Sequence, residues 1–184
     1  RIIWEGPGFE DGRLVNGPTR LRVESSLQGL ALDWPLQLGK RAEQSVPTRF
    51  DWRWLAGGEQ RMDLAYGDRL QAVAAQGPDT PLGLAVHLGG EAAASPQPGM
   101  TRVTGMLPRL RLAELTALAS GENALGGEAS LPPVRALDLS LQGLDVNRWR
   151  LGEVQIAGVR EADDWRLGLA GAAYGDMRWS PQSR

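Results

Sequence analysis

Phe50-Asp51-Trp52-Arg53-Trp54 carries an aromatic ring at every second residue and a charge at each residue between. Period two is the spacing of one face of a β-strand, whereas a helix would scatter these rings around its circumference. The same alternation returns on either side. Leu21 and Val23 alternate with Arg20, Arg22 and Glu24; Leu30, Leu32 and Trp34 alternate with Ala31 and Asp33. Downstream come Met62, Leu64 and Tyr66, then Leu82, Leu84, Val86 and Leu88, then Leu137, Leu139 and Leu141, then Val154 and Ile156, then Trp165, Leu167 and Leu169. Gly57-Gly58, Gly77-Pro78-Asp79 and Asp163-Asp164 punctuate these runs with the residues that hairpin turns require. One-faced strands joined by turns predict an all-β chain, a long antiparallel meander with one wet side.

Composition agrees. The chain has 184 residues, one large domain or a slice of something longer. Its 24 Gly and 12 Pro make up about a fifth of the chain, against an ordinary ~12%. That load argues against a helix bundle. Twenty basic and 22 acidic residues leave a net charge of -2, which supplies no drive toward nucleic acid. With no cysteine there are no disulfides, thiolate nucleophiles or iron–sulfur clusters, and most structural zinc sites are excluded. The longest apolar stretch, around Leu82–Leu88, is far shorter than the ~18 residues of a membrane span. The chain opens with Arg1 rather than Met. It reads as an excised or processed piece, so missing targeting signals carry no information about compartment.

One stretch breaks the period. Leu112, Leu115 and Leu118 recur at helical spacing, with Ser120-Gly121 as a stop, and predict a short helix over Leu112–Leu118. The Gly-rich polar segment after it predicts a linker over 120–130, dividing a segment 1–119 from further strands over 131–184 within one continuous groove. Glu91–Gly99, rich in Ala, Ser and Pro, predicts a loose loop. Ser26–Leu32 is echoed by Ser140–Val146 in six of seven positions if Leu and Val count alike, which suggests repeated strand units in an elongated stack.

Chemistry is sparse. His87, the single histidine, falls on the face opposite Leu84 and Val86 and reads as a solvent-facing strand residue. No phosphate loop, nucleophile elbow or calcium loop appears. Acid pairs such as Asp63 with Asp68 and Asp163 with Asp164 are what 22 acids supply by chance. No catalytic residue, metal ligand or cofactor is expected. The seven tryptophans call for burial or a ligand. Packed core or an apolar wall fits them better than a sugar platform, for which the opposite strand face lacks matched polar groups. A sheet with one short helix has no second layer, so it either folds on itself as a sandwich or barrel or curls into a trough.

Leu27–Lys40, with its strand followed by Trp34-Pro35-Leu36-Gln37-Leu38-Gly39-Lys40, resembles a recurring element of the YhdP proteins, large AsmA-like periplasmic proteins of Gram-negative bacteria. Val103–Leu115 is similar to that family's Gly-x-Leu-Pro-x-Leu-x-Leu strand running into a short helix. Leu131–Leu144, Leu151–Ile156, Asp164–Leu169 and Met177–Trp179 resemble the repeated strands that follow. The likeness covers most of the chain in order. It departs at Gln37, where the family shows a second proline, and keeps Lys40, the only lysine here, at the family's lysine position.

The resemblance implies a segment of a bridge-like lipid-transfer protein. Such a protein carries phospholipid acyl chains along an apolar β-groove between the inner and outer membranes, in the periplasm, as part of an inner-membrane-anchored parent. Each acyl CH₂ left in water costs ~0.8 kcal/mol, so a lipid crosses an aqueous space only along an unbroken apolar lining. The expected lining, by parity, is Leu30, Leu32, Trp34, Phe50, Trp52, Trp54, Leu82, Leu84, Val86, Leu139, Val154 and Leu167. Phospholipid is the expected ligand, with periplasmic or membrane proteins as further partners and no nucleic acid. Two rivals remain: a periplasmic scaffold that pairs a protein partner along a sheet edge, and a carboxylate-based glycosidase.

Overall fold

The computed structural model describes residues 1–6, 9–10, 13–14, 19–114, 131–162, 164–172 and 174–179. Its first strands are β1 (Ile2–Glu5), β2 (Phe9–Glu10), β3 (Arg13–Leu14), β4 (Thr19–Ser25), β5 (Thr48–Trp54), β6 (Gln60–Tyr66), β7 (Leu70–Gln76) and β8 (Gly83–Leu88). Then come β9 (Thr101–Leu107), β10 (Leu110–Arg111), β11 (Val134–Leu141), β12 (Leu144–Val146), β13 (Trp149–Leu151), β14 (Val154–Glu161), β15 (Asp164–Gly171) and β16 (Gly175–Trp179). Eleven of them form one sheet in the order β1-β4-β5-β6-β7-β8-β9-β11-β14-β15-β16. The chain is all-β, and this sheet is mostly antiparallel and not closed into a barrel. A small second sheet, β10-β12-β13, and the β2-β3 ribbon complete the strands described.

Among the described residues the one helical stretch is 112–114, where Glu114 Oε2 accepts the Arg111 backbone N–H at 2.9 Å. Leu115, Leu118 and the 120–130 linker lie outside the described residues. The strands before and after them share one sheet, because β9 pairs directly with β11.

The meander is interrupted twice. β8 with β9 and β9 with β11 are parallel, and a parallel pair needs a crossover rather than a hairpin. The first crossover contains the expected loop Glu91–Gly99 and runs over the polar face. A Cβ on Gly83 would lie 2.3 Å from the Gln97 carbonyl oxygen, so only glycine allows that approach. Gly83 and Ala85 are buried there although they face away from the apolar side. The second crossover brings in Leu110, which is wholly buried in the core.

Leu30–Trp34 is not a strand of the sheet. Leu32 makes only an isolated bridge to Lys40, because the chain turns at Leu27 and Gly29 and again at Leu36 and Gln37, all four with positive φ. The echo between Ser26–Leu32 and Ser140–Val146 has a common shape. Each copy lies at the end of a sheet strand, Ser26 just after β4 and Ser140 next to last in β11, and the chain bends at Gln-Gly. Each then pairs antiparallel with the segment after it, Leu32 with Lys40 in one case and Leu144 with Leu151 in the other.

Candidate functional site

Strand register assembles one apolar face. Leu21, Trp52, Met62, Ala74 and Leu84 stand in one row across β4 to β8, and Val23, Phe50, Leu64, Ala72 and Val86 in the next. Trp4 extends the first row and Ile2 the second. The rings form a ladder: Phe50 meets Trp52 edge-on at 6.4 Å, Trp52 stacks on Trp54 at 4.2 Å, and Trp54 lies 6.0 Å from Trp4. These strand side chains are half-buried, apart from Ile2 and Trp4, which are 73% and 62% exposed.

One end of the face is walled. Tyr66, buried, packs at 5.6 Å against Trp34, and Leu36, Leu38 and Val46 join the same buried cluster. The other half of the same face is filled. Leu139, Ile156 and Trp165 are 0% exposed, in a cluster that also takes in Leu110 and Leu144 of the small sheet.

The twelve expected lining residues therefore fall into three groups. Phe50, Trp52, Trp54 and Leu84 share the open part of the face, with half-buried Leu82 just before β8, and Val86 stands at its border, where it packs against the core. Leu139, Val154 and Leu167 lie on the same side of the sheet but are sealed in the packed core, so they line no open surface. Their cover includes Leu110 and Leu144 of the small sheet. Leu30, Leu32 and Trp34 belong to the capping loop: Leu30 is exposed, and Leu32 and Trp34 pack against the core from outside the sheet. Leu21, Val23, Met62 and Leu64 belong with the first group. Their alternation was legible in the sequence, but only register placed them beside Trp52.

Lys40 holds the cap together. It is buried, and its Nζ donates to the carbonyls of Leu27 at 2.7 Å, Arg41 at 3.0 Å and Leu30. Three carbonyls converging on one point match the three donors of an ammonium. The planar fork of an arginine has a different geometry, which accounts for a lysine in a chain whose other basic residues are arginines. Gln37 has φ 58–60 territory in common with Leu36, its own φ being 60, which the proline ring cannot adopt. Its Nε2 donates to the Arg109 carbonyl at 2.8 Å, tying the cap to the second crossover.

Behind the aromatic ladder, the opposite face of β4 to β6 is an arginine–aspartate lattice. Buried Asp51 accepts from Arg20 Nε at 2.9 Å and from Arg22 Nε at 2.9 Å, while Asp63 accepts from Arg53 and from Arg61 Nη2 at 3.1 Å. Burial of Asp63 pushes its pKa up, but the hydrogen bonds and charges of Arg61 and Arg53 outweigh this and hold it below the ordinary carboxylate value. His87 is half-buried, and its Nδ1 lies 3.0 Å from Thr104 Oγ1. Asp163 lies outside the described residues. Among the described residues, no His, Asp and Glu cluster could hold a metal, and no helix is long and apolar enough to cross a membrane.

No protein-family model, curated protein or solved structure matches the chain.

Proposed function

We propose that the chain is a segment of a bridge-like lipid-transfer protein that carries phospholipid acyl chains along an apolar β-groove between the inner and outer membranes of a Gram-negative envelope. The observation that carries this reading is the apolar face of β4 to β8, which the described residues leave partly exposed. Two adjacent rows of aliphatic and aromatic side chains stay half-exposed there, while the opposite face of the first three strands is ion-paired. Five strands at ~4.8 Å spacing make that face roughly 20 Å wide, enough for an acyl chain to lie against apolar atoms over much of its length. The motif resemblance to the AsmA-like periplasmic proteins supports the same reading. Acyl chains occupy the open half, bordered by the Trp34–Tyr66 wall and the packed core.

Native mass spectrometry of the purified chain tests it, with co-purified phospholipid expected. Trp52→Asp sets a carboxylate in the acyl path and should abolish that lipid in a folded protein. Gln71→Asp, on the polar face between Ala65 and His87, should not. Wild-type chain free of lipid, or unchanged lipid in Trp52→Asp, would overturn the reading.

The sheet's outer strands favour a second reading, a periplasmic scaffold that pairs a protein partner along an edge. Among the described residues, β1 and β16 each pair on one side only, and Ile2 and Trp4 make the first edge largely apolar. Lipid retention after Trp52→Asp, together with capture of a strand along β1, would favour the scaffold.

A further inference from the structure

We infer that the β12-β13 hairpin is a docking element for an anionic lipid bilayer surface. The turn is two residues long, Asn147-Arg148, closed by the Val146–Trp149 pair. Asn147 has φ 55, the conformation such a turn demands and asparagine tolerates. The tip is therefore a fixed structure, and it presents an unusual set of side chains. Trp149 is 65% exposed, in a chain whose Trp165 is wholly buried. Arg148 stands over its ring, with Cζ 5.5 Å from the centroid. Arg150 is 73% exposed at its side chain, and Arg109 of the second crossover lies alongside.

Asp145 is the acid of this patch. Arg109 Nε holds it at 2.7 Å and Arg150 Nε at 3.5 Å. Arg148 beside the indole, with Arg109 and Arg150 around Asp145 on the other face of the hairpin, leaves an excess of two positive charges at this end of the molecule. An indole gains by sitting at the headgroup level, where its apolar ring is buried and its N–H stays wet. Arginines beside it are drawn to the negative surface potential of anionic lipids. A nucleic acid would demand a wider basic surface than a chain of net charge -2 offers. An acidic protein would satisfy the arginines but leave the exposed indole to find an apolar pocket.

This surface is separate from the apolar face of β4 to β8 and does not depend on what that face carries. The test is co-sedimentation of the purified chain with vesicles of phosphatidylcholine, with and without phosphatidylglycerol. Binding is expected only to the anionic vesicles, and should fall as salt rises. R148Q/R150Q should weaken it by more than tenfold, roughly fivefold per arginine. W149A should weaken it while leaving thermal stability unchanged, because the side chain is exposed. Brominated acyl chains should quench wild-type fluorescence more than that of W149F. Q71D, on the polar face of the sheet between Ala65 and His87, should sediment as wild type. The inference is overturned if R148Q/R150Q sediments as wild type or if no anionic vesicle binds.

Discussion

Trp52, inside β5, and Trp165, near the start of β15, belong to one sheet and lie on the same side of it, each with an apolar residue two positions further on. Trp165 is wholly buried, whereas Trp52 keeps part of its ring in solvent. Strand register treats them alike, so the difference lies in what covers each. Alternation states which way a side chain faces; it says nothing about whether another segment lies over it. The cover on the Trp165 side includes Leu110, Leu112, Leu144 and Val146, from the second crossover and the small sheet. The face of Trp52 has the Lys40-bound cap only at one end.

Truncation should break the symmetry between them most sharply. Trp165→Ala removes a large ring from a closed core and should cost ~3–5 kcal/mol of unfolding free energy. Trp52→Ala opens no sealed cavity and should cost less than ~1.5 kcal/mol, since the ring already touches water. Urea unfolding of the two variants against wild type reads the difference. Equal losses would mean that the β4–β8 face is covered as well.

The cap comes next. Lys40→Met keeps the length and apolar stem of the side chain but leaves the Leu27, Leu30 and Arg41 carbonyls without their donor. The expected loss is ~1–3 kcal/mol. Lys40→Arg should recover little of it, because three carbonyls around one ammonium do not fit a planar fork. Hydrogen exchange should locate the effect. The Leu32 and Lys40 amides, each bonded to the other's carbonyl at 2.9 Å, should exchange faster while those of β14 and β15 do not change.

The same pair of regions shows what could be read from the sequence. Strands β4, β5, β6, β8, β11, β14 and β15 were legible because polar residues alternate with large apolar ones. β7 was not, since alanines occupy both of its faces at Ala72, Ala74 and Ala75 and hide the period. Leu30–Trp34 mimicked a strand because a turn-rich cap also alternates when one side of it packs on a core. Among the expected lining residues, Phe50, Trp52 and Trp54 were placed by local pattern alone. Leu139, Val154 and Leu167 were misplaced because their cover arrives from the second crossover and the small sheet, and no pattern within a strand records it. Lys40 stood out as the only lysine, but its reason, three convergent carbonyls, is three-dimensional.

The smallest effect sharpens the comparison from the back of the sheet, where the arginine–aspartate lattice of β4 to β6 underlies the open half. Asp63 has its pKa held below the ordinary value of 3.8 by Arg61 and Arg53, against the upward push of burial. A carboxyl with a depressed folded-state pKa binds fewer protons when folded than when unfolded. Its stabilising contribution is therefore complete above the unfolded value, near pH 4, and is lost as pH falls through the lower folded value. Because its side chain is 28% exposed and the arginines facing it are 39% exposed, screening limits that contribution to ~0.2–1 kcal/mol. Asp63→Asn should lower stability by that amount at neutral pH and flatten the decline between pH 4 and the acid limit. Thermal melts of wild type and variant across that range provide the check. If the decline of the wild type is unchanged in Asp63→Asn, the acid sensitivity lies in other carboxylates, and Asp63 is not what couples the polar face beneath Trp52 to pH.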